Sequence, residues 1–210
     1  MSKLNLNQLL SLCRDRRKND FYFFRTHEYV PYKKDILEKE FIRMEPWEVR
    51  YIFNVCKTSK IGIIETGRWF GGSTLVLASA SNSSVHSFDI GPKDDEKLKK
   101  IIQKYSYDNI NLYVDDSQRT RLKEDIKYDI LFIDGDHSYE GCYNDLNNWF
   151  PNLKKGGHVI LHDSYQRYNI DEAITDYTLD KNVRFFLSPF NIGSYTSPYG
   201  SLCHFQKLDD

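Results

Sequence analysis

The sequence predicts a doubly wound α/β fold, and three observations carry that expectation. From Ile61 onward, short apolar runs alternate with helix-like runs. The apolar runs are close to continuous, as in Tyr128–Ile133 (YDILFI), which is what burial on both faces of a parallel sheet produces. Several of these runs end in an acid: Glu65, Asp89, Asp134 and Asp163. The C-terminal ends of strands are where such folds bind ligands.

Taken in order, strands are predicted at 61–66, 84–90, 109–114, 128–134, 157–162, 183–188 and 200–207. Helices are predicted at 72–81, 93–105, 139–150 and 170–180, with a weaker one near 117–126. The last two strands lie close in sequence and suit a closing hairpin, with the final strand antiparallel. A helix over Pro46–Lys57 precedes the first strand, with Pro46 in its first turn and Trp47, Tyr51, Ile52 and Val55 on its apolar face. Residues 1–45 differ in texture, with a short amphipathic pattern (Leu4, Leu9, Leu10, Cys13) followed by aromatic stretches at Phe21–Phe24 and Tyr29–Tyr32. They read as a lid or as a contact between copies of the chain, ahead of a single domain over 46–210.

Composition narrows the classes. A chain of 210 residues with 40% hydrophobic residues supports one sizeable core. The formal charge of −1 gives no general case for nucleic acid binding, and the basic cluster Arg14, Arg16, Arg17, Lys18 reads as a solvated helix face. Four scattered cysteines without a CxxC pair suit reduced thiols and a cytoplasmic location. No signal-peptide pattern opens the chain, and no apolar run approaches the ~20 residues of a membrane span.

The stretch Ile61–Thr74, IGIIETGRWFGGST, reads as a buried strand, a glycine-rich turn and a helix start, an arrangement that binds nucleotide-like ligands. Glu65 at the strand end disfavours a phosphate as the nearest group and suits a cationic or hydroxyl-bearing one. Asp89, about two dozen residues beyond the turn, suits a grip on ribose hydroxyls. Asp116 and Ser117 follow the third strand, either at an adenine edge or as caps of the next helix. The fourth strand runs into Asp134-Gly135-Asp136-His137-Ser138-Tyr139-Glu140. Ser138 and Glu140 suit a helix start there, which leaves Asp134 as a candidate ligand of a divalent cation and His137 as a candidate general base. The fifth strand adds His162 and Asp163 beside them. Two carboxylates on adjacent strand ends make a metal site plausible, with Mg²⁺ as the expected ion and His162 either a third ligand or a partner that orients Asp163. His158, within the strand, reads as a packed residue.

Together these residues resemble the class I S-adenosylmethionine (SAM)-dependent methyltransferases, and most closely the small-molecule O-methyltransferases of the macrocin and cephalosporin-cluster type. IIETGRWFGGST is similar to that family's first motif, and FIDGDHSYEGCYNDLNNWFPNLKKGGHVILHD to its fourth and fifth run together. The resemblance implies a Rossmann-like, seven-stranded sheet of order 3-2-1-4-5-7-6. It implies SAM as cofactor, with Glu65, Thr66, Gly67, Arg68, Gly71, Gly72, Ser73 and Thr74 around its amino acid end. Asp89 and Ile90 would lie at the ribose, Asp116 and Ser117 near the adenine, and Asp134 between cofactor and acceptor. Asp134, Asp163 and His162 would form the metal set, and His137 stands three positions after the first acid, where catechol-type relatives carry a basic residue. The chain has His162-Asp163-Ser164 where related patterns show Asp-Asp or Asp-Asn. The implied reaction is transfer of a methyl group to a hydroxyl of a small polar acceptor such as a sugar; the loop Ser188–Tyr199 suits its recognition, and Trp69 and Phe70 read either as closing over the site or as core or dimer contacts. The alternatives are a SAM-fold binding protein without transfer, a NAD-linked oxidoreductase (disfavoured because GxGxxG is absent) and a nucleic acid methylase.

Overall fold

A computed structural model describes residues 2–13, 41–122, 126–164, 169–188 and 202–209. The elements run α1 (Leu6–Ser11), α2 (Pro46–Cys56), β1 (Gly62–Thr66), α3 (Gly72–Ala80), β2 (Ser84–Asp89), α4 (Asp95–Lys104), β3 (Ile110–Val114), β4 (Tyr128–Ile133), α5 (Tyr139–Trp149), β5 (Leu153–His162), α6 (Ile170–Thr178), β6 (Val183–Leu187) and β7 (Leu202–Lys207). The strands form one sheet in the order β3-β2-β1-β4-β5-β7-β6. Pairings from β3 through β5 are parallel, while β7 runs antiparallel to both β5 and β6. The expected order and the closing hairpin are both observed.

Parity along the strands builds two cores. Ile63, Ile130, Phe132 and Ile160 face one side with Val49 and Ile52 of α2, Leu75 and Leu77 of α3 and Leu98 of α4. Ile64, Leu131, Ile133, Val159 and Leu161 face the other with Leu146 and Trp149 of α5 and Ile174 of α6. Each fully buried Ile or Leu contributes about 1.5–3 kcal/mol relative to exposure, so neither side of the sheet tolerates polar substitution. Where β4 is buried at every position, Tyr128 also donates its hydroxyl to the Trp149 carbonyl.

Three differences from the expected elements have local causes. β5 begins at Leu153 rather than 157, because Leu153 pairs with Tyr128 ahead of an irregularity that contains Gly156 at φ 76°. Residues 117–119 form a turn rather than a helix start, with Asp116 accepting the Arg119 and Thr120 N–H groups. Finally, the described parts of residues 1–45, expected as a lid or a contact between copies, pack into the core of the sheet domain. Leu4, Leu9, Leu12, Phe41, Ile42 and Met44 are buried in the α2–α3 core, and Cys13 bridges to Ile42. The aromatic stretches at 21–32, the basic cluster at 14–18 and most of the loop 188–199 lie outside the described residues. Among the described residues no helix is long and apolar enough to cross a membrane.

Candidate active site

Gly67 and Gly71 shape the β1–α3 turn because no other residue fits. Gly67 has φ 79°, and a Cβ there would sit 2.2 Å from the Asp134 carbonyl oxygen. Gly71 caps α3 at φ 86°, where a Cβ would meet the Leu98 side chain at 2.4 Å. Gly72 is pressed against the Phe41 backbone. The first N–H groups of α3 have no intrahelical partners, and the helix dipole adds positive potential there, a setting for a carboxylate. Ser73 stands in that first turn.

The turn is held by groups that sequence reasoning assigned to the ligand. Asp89 Oδ2 accepts N–H bonds from Arg68 and Trp69, both at 2.9 Å, and Oδ1 accepts one from Gly91 at 2.7 Å. It organises the turn, whatever else it grips. Arg68, expected at the cofactor, spends its side chain on the fold. Its guanidinium is buried, pairs with Asp95 at 2.9 and 2.6 Å and donates to the Ser87 and Tyr113 carbonyls. That side chain ties β1 to β2, β3 and α4. Ser117 is likewise engaged, donating to Asp145 Oδ1 at 2.8 Å while Thr66 donates to Oδ2 at 2.8 Å. Asp116 caps its own turn through Gln118 N–H and pairs with Arg119. Asp145, on α5, was not foreseen. Burial lifts its carboxyl to about 6 against the two hydroxyls that lower it.

Glu65 is fully buried; its Oε2 accepts the Thr74 hydroxyl at 2.6 Å, and its Oε1 has no partner. Burial raises this carboxyl to about 7 in spite of the Thr74 hydroxyl and the neighbouring Ser73 and Ser87 hydroxyls, which oppose it. A buried carboxylate oxygen without a partner costs roughly 1–3 kcal/mol, which a donor group on a ligand would relieve. Beyond the turn the wall is apolar, with Ile90 and Val114 exposed at the ends of β2 and β3. Trp69 is 50% exposed and lies beneath the Lys93 ammonium, 4.3 Å from its ring centroid.

At the ends of β4 and β5 the charged groups converge. His137 Nε2 is 3.3 Å from Asp134 Oδ1 and 3.9 Å from Asp163 Oδ2. His162 Nδ1 is 3.0 Å from Asp134 Oδ1 and 3.7 Å from Asp163 Oδ2, and its Nε2 is 3.3 Å from Glu48 Oε2. The Asp134 hydrogen bond raises the His137 imidazole above its ordinary range, with burial opposing. Burial alone would lower His162, but Asp134 and Glu48 outweigh it and hold the ring well above that range. Burial would raise Asp134, yet His162 and His137 keep it below the usual carboxylate range. Asp163 sits at φ 49°, off the extended path of the strand it follows. Ser138 caps α5 by accepting Gly141 N–H at 3.0 Å, as expected.

Asp134, His162 and Asp163 each offer one ligand atom, and these atoms lie within 4.8 Å of one another. The set can hold one ion. Its nitrogen donor does not suit Mg²⁺, which takes oxygen ligands, so the Mg²⁺ expectation lacks support; the set suits a divalent ion that accepts imidazole. Glu48 went unnoticed because an acid in a helix first turn ordinarily serves the dipole from solvent. His158 belongs elsewhere, in a chain running from Tyr51 to His204 to His158 with links of 2.7 and 2.9 Å. All four cysteines are buried and unpaired.

Comparison with known proteins fits this architecture. Residues 64–164, which span the glycine turn and the Asp134–Asp163 cluster, match the sequence profile of a family described as a methyltransferase domain. An uncharacterized protein, R132 of Acanthamoeba polyphaga mimivirus, is 30% identical over 132 residues, 55% of this chain and 56% of that one. The chain thus spans about half the length of this curated relative. The S-adenosylhomocysteine (SAH)-bound methyltransferase PaMTH1 of Podospora anserina superposes with TM-score 0.62 at 14% identity, over 80% of each chain. A SAM-dependent O-methyltransferase of Thermotoga maritima gives 0.59 at 16%, over 80% of this chain and 67% of that one. An rRNA methylase of Streptococcus thermophilus gives 0.58 at 14%, over 78% and 95%. The fold is therefore the Rossmann-like fold that these methyltransferases share, and residues 64–164 are similar in sequence to a methyltransferase domain.

Proposed function

We propose that the chain is a SAM-dependent O-methyltransferase acting on a hydroxyl of a small polar acceptor, with His137 as general base. One observation carries the reading: a small cleft lined by Arg68, Trp69, Phe70, Gly72 and Ser73 is also lined by Asp134, whose Oδ1 lies 3.3 Å from His137 Nε2, so the glycine turn and the charged cluster share a cavity. The start of α3 takes the cofactor carboxylate, and Glu65 Oε1 answers its ammonium. Asp89 retains lone pairs for the ribose, and Ile90 and Val114 flank the adenine. The macrocin-type likeness, with a sugar-like acceptor, is the finer form of this reading.

The reaction needs little from the protein beyond alignment and a proton acceptor, because the sulfonium is already a strong electrophile. The acceptor oxygen attacks the methyl carbon, the carbon–sulfur bond breaks towards a neutral thioether, and the hydroxyl proton passes to His137 Nδ1, the nitrogen left free when Nε2 donates to Asp134. Asp134 stabilises the imidazolium formed. A divalent ion held by Asp134, His162 and Asp163 would supply polarisation of the acceptor hydroxyl. RNA methylation is a second reading, drawn from the rRNA methylase neighbour; the formal charge of −1 favours the small acceptor.

Calorimetry with SAM and SAH tests the cofactor, and a screen of hydroxylated acceptors and RNA with methyl-labelled SAM tests the transfer. Absence of binding at millimolar cofactor would sink the reading. Label appearing only in RNA would replace the acceptor class.

A further inference from the structure

Glu48 is an acid of the first turn of α2, yet its side chain is 1% exposed. Oε2 accepts the Glu45 N–H at 2.8 Å and lies 3.3 Å from His162 Nε2, across 114 residues of chain. Oε1 is buried without a partner. A carboxylate on the far nitrogen is the arrangement that fixes the tautomer and ring orientation of a metal-ligating histidine. With the Nε2 hydrogen donated to Glu48, the Nδ1 lone pair faces Asp134 and Asp163. Ligands about 2.1 Å from a common ion stand about 3.0 Å apart at right angles and about 3.4 Å apart in a tetrahedron. The observed separations from Nδ1, 3.0 and 3.7 Å, span those values.

We propose that Glu48 is a positioning residue that makes His162 a nitrogen ligand, so that the site takes a transition-type divalent cation, Mn²⁺ or Zn²⁺, in preference to Mg²⁺. The use of the ion rests on the methyltransferase reading, while its binding does not. An oxygen-only shell would satisfy Mg²⁺; a buried imidazole with a carboxylate behind it is a stronger donor to a borderline ion. The rival state is a permanent imidazolium clamped between Glu48 and Asp134, with no ion at all.

The test uses the full chain, stripped with chelator and saturated with SAH. Mn²⁺ is added alone and followed by electron paramagnetic resonance, then challenged with Mg²⁺. One bound Mn²⁺ with ¹⁴N coupling is expected, resisting about 100-fold excess Mg²⁺. His162→Asp should remove the coupling and let Mg²⁺ compete. Glu48→Gln should weaken Mn²⁺ binding about 10–100-fold while leaving SAH affinity unchanged. Bound Mn²⁺ without nitrogen coupling, displacement by equimolar Mg²⁺, wild-type Mn²⁺ affinity in Glu48→Gln, or no bound Mn²⁺ would each overturn the proposal. Each of these leaves SAH binding intact, whereas failure of the methyltransferase reading would show as loss of SAH binding in the wild-type chain.

Discussion

Strand β4 is bounded by two aspartates with opposite fates. Asp129, near its start, is 5% exposed and accepts from the Ser59 hydroxyl at 2.6 Å and from the N–H groups of Lys60, Ile61 and Gly62 at 2.7–3.3 Å. Asp134, just past its end, touches two histidines that arrive from the β4–α5 turn and from β5. The first acid is surrounded by donors that cannot release a proton at neutral pH. The histidine partners of the second can exchange protons. An acid satisfied by fixed donors holds a fold together; an acid satisfied by ionisable groups is equipped for chemistry.

The strongest way to break this contrast is Asp129→Ala. Four donors lose their acceptor, so denaturant unfolding should show a loss of about 3–4 kcal/mol, with SAH affinity preserved in the folded fraction. A loss below about 1 kcal/mol would remove Asp129 from its structural role. Glu65 sharpens the comparison, as a buried acid at the chemical end of β1. Its folded value near 7 lies above the ordinary 4.5, so from pH 4.5 to 7 the unfolded chain ionises first and stability falls by about 3 kcal/mol. Glu65→Gln should remove that share of the decline and leave the smaller one from Asp145, as read by melts across the window; an unchanged slope would count against its burial.

Asp134→Asn should lower methyl transfer about 100-fold, equivalent to about 2.7 kcal/mol, followed as SAH release with an acceptor from the screen. Its unfolding free energy should change by less than about 1 kcal/mol, the reverse of the Asp129 pattern. The smallest effect belongs to Asp89→Asn. One oxygen still accepts from the turn, so SAH affinity should fall only about 10-fold in calorimetry, or about 1.4 kcal/mol.

Most of the sheet was legible because strands buried on both faces leave unbroken apolar runs, as in Ile61–Ile64 and Tyr128–Ile133. Residues 153–156 were missed since Lys154, Lys155 and Gly156 look like a turn, and only pairing with Tyr128 makes them strand. Within the site, acids at strand ends could be read, but their partners could not. Glu48 reaches His162 across 114 residues, and Asp145 reaches Thr66 across 79; both sit on helices where an acid ordinarily faces water. Arg68 is the opposite case. Its place in the glycine turn suggested ligand contact, whereas burial sends its side chain behind the turn.

Trp69 gives the cleft an optical handle. Of the three tryptophans in the chain, Trp149 is buried under the sheet and Trp47 is half-buried on α2. Trp69 alone stands half in solvent, at φ 53°, on the rim of the cleft with an ammonium over its indole. A molecule entering the cleft must displace water from that ring or shift Lys93. Emission excited at the indole band therefore reports occupancy in the native sequence, without an attached dye.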